Sequence, residues 1–264
     1  MSILRRHHRR KLLDQPFPDA WLQILHRDVP MIRMLTDAEQ QRMREIMMIL
    51  IDEKYWEGGG GLKVTEYMRV IVASQAAIPL LNLDLTDYYH NVRTFILYPG
   101  AYVQNQEHVG SDGLVHSGTT NLGEAWYNGP VILSWQAVEQ AARQPGRGEN
   151  VVFHELAHAV DMLSGMTNGT PSLRSANDYE KWNNIMSQTF DQVRTGYRHG
   201  QRDVIRPYGV TNVAEFFAVT TELFFDAPLA LQQAHPSVYT QYQSFWGQDP
   251  AARWPAPQNH GPTS

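Results

Sequence analysis

Two histidines four residues apart, with a glutamate directly after the first, form the run His154-Glu155-Leu156-Ala157-His158, the pattern H-E-x-x-H. Residues at that spacing stand one above the other on a helix, so both imidazoles can face a single ion about 2.0–2.1 Å away. The glutamate emerges about 100° round the helix, where it can reach a water on the metal without ligating the metal itself. With 11 histidines in 264 residues, composition alone produces this pattern roughly 0.02 times, so chance explains it poorly. The bland alternative is a helix holding two hydrogen-bonded core histidines. The flanking Val151, Val152, Phe153, Ala159, Val160 and Met162 make the segment a buried helix, as a metal site requires.

A catalytic zinc usually has three protein ligands and one open position, so a third ligand must come from elsewhere. Residues 212–225 read N-V-A-E-F-F-A-V-T-T-E-L-F-F, an apolar helix carrying two carboxylates, Glu215 and Glu222. A carboxylate in such a helix is costly unless it is exposed, hydrogen-bonded or bound to metal. Two turns separate the pair, so they share one face but lie about 10 Å apart along the axis and cannot fill the same ligand position. Glu215 is favoured because it sits in the first turn, beside the 208–211 loop where a site can open. A carboxylate that merely suits the helix dipole is its competing reading. Asp161 follows His158 by three residues and has three possible roles: metal ligand, support for a ligand histidine, or polar helix contact. Support ranks first, with Glu222 a further candidate for it, and spacing alone leaves the third ligand open between Asp161 and Glu215.

These side chains need a frame. Helices are expected over residues 20–26 and over 37–54, where Thr36 and Glu39 make a capping box and the glycine run 58–61 ends the helix. Another is expected from about 66 to 83, with Met68, Val72, Gln75 and Ala76 as a buried stripe interrupted by Pro79. Two short β candidates, 92–98 and 130–135, flank a segment expected to hold loops and an edge strand, 99–129. Helix returns over 151–163, 178 to about 197 behind Asn177, 214–225 and 238–246. Helices around a small sheet in one continuous unit give an α+β fold, with a single domain over residues 19–250. Residues 1–18 and 251–264 are expected to be flexible tails.

Composition narrows the rest. The chain is 42% hydrophobic and 19% charged, ordinary for a globular protein, and its net charge of −5 gives no sign of a nucleic-acid channel. The basic stretch Arg5, Arg6, His7, His8, Arg9, Arg10 and Lys11 is followed by Asp14, Pro16 and Pro18 rather than an apolar run. It is read as a solvated tail and not a secretion signal, which makes the cytoplasm the expected compartment. The strongest apolar run, 46–51, is far shorter than the roughly 18 residues of a membrane span, so no membrane partner is expected. Without cysteine, any metal must be held by His, Asp and Glu.

Several blocks together resemble the Mlc titration factor A family of bacterial zinc peptidases. They are I-P-L-L at 78–81, F-I-L-Y-P at 95–99, G-P-V-I-L-S-W at 129–135, H-E-L-A-H-A-V-D at 154–161, A-E-F-F-A-V at 214–219 and E-L-F-F at 222–225. The resemblance implies a mainly helical, zincin-like fold and a gluzincin-like site with one Zn2+ per chain. His154, His158 and Glu215 are then the ligands and Glu155 the catalytic base. The catalytic domain of the lethal-factor toxin is similar here, with a tyrosine seven residues before the ligand glutamate. That position is Tyr208, a donor to the oxyanion or otherwise an ordinary packed loop tyrosine. By analogy with zincins, residues 123–126 present an edge strand on which substrate backbone aligns.

The expected function is zinc-dependent hydrolysis of peptide bonds in a peptide or protein substrate, through a zinc-activated water with Glu155 as general base. No residue marks a pocket for a free amine, so aminopeptidase-like and endopeptidase action both stay open. The first rival is a zinc-containing regulatory protein that sequesters a transcriptional repressor, with weak or vestigial peptidase activity. The second is a non-enzymatic helical domain with an accidental motif. His108 and His116 are read as solvated loop residues, and Trp126, Trp135 and Phe217 as core.

Overall fold

The structure, a computed structural model, describes residues 3–83, 89–103, 108–109, 115–116, 120–121, 123–125 and 129–254. Helices α1 (Ile3–Leu13), α2 (Asp19–Asp28) and α3 (Asp37–Glu53) precede strand β1 (Tyr55–Gly58), and α4 (Glu66–Ala77) leads on to β2 (Thr94–Tyr98). Five short strands follow: β3 (Tyr102–Val103), β4 (His108–Val109), β5 (Val115–His116), β6 (Thr120–Asn121) and β7 (Gly123–Ala125), and then β8 (Val131–Ser134). The remainder is helical: α5 (Trp135–Arg143), α6 (Val151–Asp161), α7 (Ala176–Arg198), α8 (Val213–Asp226), α9 (Pro228–Ala234), α10 (Pro236–Trp246) and α11 (Pro250–Arg253). This is the expected mainly helical α+β architecture.

The main sheet has the order β1-β2-β8-β7. Its first three strands are parallel, with Phe95 opposite Trp56 on one side and Val131 on the other. A parallel neighbour requires a crossover, and α4 supplies the one between β1 and β2. The edge strand β7 runs antiparallel to β8, Glu124 opposite Ile132, and packs against α6. Two separate ladders, β3–β6 and β4–β5, occupy the intervening segment.

Local signals explain most helix ends. The Thr36 side chain accepts from the Glu39 backbone at 3.3 Å while the Glu39 carboxylate accepts from the Thr36 backbone at 2.9 Å, the anticipated capping box. The third expected helix stops at Ala77 because Ile78–Leu80 tightens into a 3-10 turn around Pro79. Behind α3 the chain becomes strand β1 before the glycines turn it. The ring of Tyr98 lies so close to Gly59 that a Cβ there would stand 2.4 Å from it. Helix α7 begins behind Ser175, whose hydroxyl accepts from the Asp178 backbone at 3.2 Å, rather than behind Asn177.

The basic N-terminus departs from the expected tail. Residues 3–13 form α1, and Arg9 donates two hydrogen bonds to the Glu53 carboxylate at 2.6 and 2.7 Å, joined there by Arg5. Burial alone would raise the Glu53 carboxyl, but the bonds from Arg9 and Arg5 outweigh it and hold its pKa at about 2. At the other end α11 extends order to Arg253, and residues 255–264 lie outside the described residues.

Helix α8 is the centre of the core, with almost every residue from Ala214 to Asp226 buried. Phe225 packs on Phe153 of α6 (5.4 Å between ring centroids) and on Trp246 of α10 (5.3 Å). Phe217 meets Trp182 of α7 at 5.9 Å, and Phe224 meets Tyr239 at 5.1 Å. Rings on three neighbouring helices therefore hold α8 at one depth and rotation. Phe217 is a core residue, as read from the sequence. Trp126 lies outside the described residues. Among the described residues no helix is long and apolar enough to cross a membrane.

Candidate metal centre

Two asparagine caps set the positions of the helices that carry the candidate ligands. The side chain of Asn150 accepts from the Val152 and Phe153 backbones at 3.0 and 3.1 Å, starting α6. Its amide donates to Gln75 at 2.8 Å, and its backbone N–H donates to Glu222 Oε2 at 2.7 Å, tying α6 to α4 and α8. Asn212 starts α8 by accepting from the Glu215 backbone at 2.9 Å. The caps fix where His154 and Glu215 fall on their helices, four and three residues on.

Three ligand atoms converge. Glu215 Oε2 lies 3.0 Å from His154 Nε2 and 3.4 Å from His158 Nε2, and the two nitrogens are 3.2 Å apart. Tetrahedral zinc with ligands at about 2.0–2.1 Å places its donor atoms about 3.3–3.4 Å apart, so these separations suit such an ion. The donor chemistry also fits. Glu222 Oε1 lies 2.7 Å from His154 Nδ1. With Nδ1–H donating to that carboxylate, Nε2 presents a lone pair to the centre. Glu222 therefore stands behind the histidine, outside the group of His154, His158 and Glu215 that could hold a metal ion.

The electrostatics favour positive charge at this point. Burial disfavours a charged His154, yet hydrogen bonds to Glu215 and Glu222 outweigh burial and push its pKa up to about 10. The negative charge of the same carboxylates, which stabilises a proton on the ring, also favours another cation at this point. Burial opposes ionisation of Glu215 too, but the two histidines hold its carboxyl well below the ordinary range. Glu155, on the same helix and 4% exposed, has its pKa pushed up to about 7, mainly by burial.

Tyr208 sits in the 3-10 turn Pro207–Val210, half exposed, with its ring 5.9 Å from that of His154. Burial of part of the ring and the charge and hydrogen bond of Glu215 raise its phenol above the ordinary range. The structure thus brings His154, Glu155, His158, Tyr208, Glu215 and Glu222 together.

Asp161 is placed differently from the leading expectation. Its carboxylate accepts from the backbones of Gly169 and Thr170 at 2.8 and 3.0 Å, so it fastens a loop instead of a ligand histidine. That loop lies against the start of α8. Gly169 has φ +70°, and a Cβ on it would stand 2.3 Å from the Val213 carbonyl oxygen. Gly169→Ala is therefore expected to destabilise the fold by about 1–3 kcal/mol. A thermal melt would show this as a midpoint lowered by about 2–10 °C. An unchanged melt would mean the loop yields freely.

Sequence reasoning missed Asn150, which its place just before an apolar helix could have marked as a cap. It also missed Arg206, whose guanidinium donates to Glu222 Oε1 at 2.7 Å and which carries no spacing signature. His108 and His116 face each other in register across the β4–β5 ladder, and their side chains lie outside what is described.

Comparison with known proteins places this geometry in context. The family model for the glucose-regulated metallo-peptidase M90 matches residues 3–247. The chain is 32% identical over 244 residues to the uncharacterized protein slr2042 of Synechocystis sp., spanning 91% of this chain and 88% of that protein. It is also 32% identical over 235 residues to Mlc titration factor A of Yersinia pestis, spanning 86% and 84% of the two chains. The same figures hold for Mlc titration factor A of Yersinia pseudotuberculosis.

Proposed function

Since the chain belongs to the glucose-regulated metallopeptidase M90 family, we propose that it is a cytoplasmic zinc peptidase hydrolysing bonds in peptides or proteins. The observation that carries this reading is the convergence of His154, His158 and Glu215, with the buried Glu155 carboxyl on the helix that supplies both histidines.

His154, His158 and Glu215 would hold one zinc ion, and Glu222, 2.7 Å from His154 Nδ1, would keep the His154 ring turned toward it. When bound, zinc supplies Lewis acidity, lowering the pKa of a water towards about 7 and polarising the scissile carbonyl. Glu155 would take a proton from the attacking water and return it to the leaving amine, a double role suited to a carboxyl that burial has pushed up to about 7. The Tyr208 phenol, protonated throughout the neutral range, donates to the oxyanion from the mouth of the site. Strand β7, terminal in its sheet among the described residues and packed on α6, offers an edge along which substrate backbone can pair.

The Yersinia relatives are named Mlc titration factor A, and the second reading is that this chain sequesters a transcriptional repressor and retains only weak peptidase activity. One pair of measurements separates the two. Elemental analysis of the purified protein is expected to find about one zinc per chain. Cleavage of a fluorogenic peptide library should stop when zinc is chelated and resume when it is restored. Zinc without cleavage favours the regulatory reading. No zinc, even after reconstitution, overturns the peptidase reading.

A further inference from the structure

We propose that Arg206 is a positioning residue that locks the orientation of His154 to the placement of Tyr208. The inference rests on the roles given above to those two residues. Arg206 Nη2 donates to Glu222 Oε1 at 2.7 Å, the same oxygen that lies 2.7 Å from His154 Nδ1. Its Nη1 lies 3.4 Å from the Gly148 carbonyl, just before the cap of α6. Its guanidinium carbon stands 5.9 Å from the centroid of the Tyr208 ring, and that ring is in turn 5.9 Å from the ring of His154. The contacts close a circuit from His154 through Glu222 and Arg206 to Tyr208 and back.

The arginine contacts two members of the circuit directly, Glu222 and Tyr208. Glu222 is 2% exposed, and its other oxygen is taken by the Asn150 backbone at 2.7 Å. The Arg206 bond therefore completes the fixing of the carboxylate and supplies its counter-charge, without which a buried carboxylate is costly. The loop carrying Tyr208 is anchored on its upstream side. Asp203 accepts from the Ile205 backbone at 2.9 Å and lies 2.8 Å from His235 Nε2, while the Tyr197 hydroxyl donates to the Ile205 carbonyl at 2.8 Å. Arg206 anchors the inner side, and the Gly209 N–H bonds to its carbonyl at 2.9 Å. A planar fork can serve Glu222 and Gly148 together while lying beside a ring. A lysine ammonium, a point donor, cannot.

The test uses the full chain as wild type, Arg206→Met and Arg206→Lys. Zinc affinity is read by competition with a chromophoric chelator, and kcat and KM on a peptide cleaved by the wild type. Both variants are expected to bind zinc roughly 10–100-fold more weakly. When saturated with zinc, they should lose kcat with little change in KM, and added methylguanidinium should restore part of the Arg206→Met loss. General damage to the fold would not respond to the small guanidinium. Wild-type zinc affinity and kcat in Arg206→Met overturn the proposal. If that variant does not fold, wild-type values in Arg206→Lys do the same. Wild-type zinc content and hydrolysis are measured first, so a failure of the peptidase reading shows there. If the wild type binds zinc without cleaving, affinity alone decides, and unaltered affinity in the variants again overturns it.

Discussion

Replacing Glu155 by glutamine is expected to leave zinc bound and to lower kcat by roughly 10²–10⁴-fold, the span of general acid–base catalysis. The substitution keeps the shape of the side chain and removes its ability to take a proton. Glu155 is outside the ligand cluster, so metal retention should be nearly complete. Its burial, 4% exposed, means that no bulk buffer base can easily replace it. The measurement is zinc stoichiometry and steady-state kinetics on one preparation. Full zinc with wild-type turnover would remove Glu155 from the mechanism. Repressor capture that survives in this variant would favour the regulatory reading, because that activity needs the folded site and not the proton transfer.

Glu215→Ala should produce the largest change in metal affinity, a loss exceeding roughly 100-fold, because removing even a residue that supports a ligand costs 10–100-fold. Helix α8 should survive the change. Glu215 contributes its backbone N–H to the Asn212 cap at 2.9 Å, and alanine keeps that N–H. Thermal stability measured without metal should therefore move little, while the chelator titration moves strongly. Zinc held at wild-type affinity by this variant would transfer the third ligand position to another side chain and would require a different geometry for the centre.

The candidate site was legible in sequence wherever the chemistry follows the helix repeat. His154 and His158 are neighbours because of the helix alone, and both flanking runs are apolar enough to identify α6 and α8. The division of labour between Glu215 and Glu222 was less accessible. Both lie on one face of α8, but which meets Nε2 and which meets Nδ1 depends on how α8 crosses α6. Asp161 shows the limit of spacing. At three residues beyond His158 it shares a helix face with the two histidines, yet its partners are backbone groups eight and nine residues on. Arg206 and the α1 arginines were illegible for a related reason. Their partners lie 16, 44 and 48 residues away, and a charged side chain in sequence looks the same whether it is solvated or paired. Strand β1 escaped notice because a four-residue strand ending in glycine is too short to show an alternating pattern.

Helix α8 carries Glu215 at one end and, two turns on, Glu222, and is wedged among aromatic rings from three other helices. The centre and the core are therefore one thermodynamic system. A ligand that binds only the folded chain adds about 2.7 kcal/mol to its stability at a hundredfold excess over the dissociation constant. If the centre takes a metal, metal supply and protein lifetime become linked quantities: with the metal scarce, the chain would open and be degraded faster, so that its abundance would report the metal.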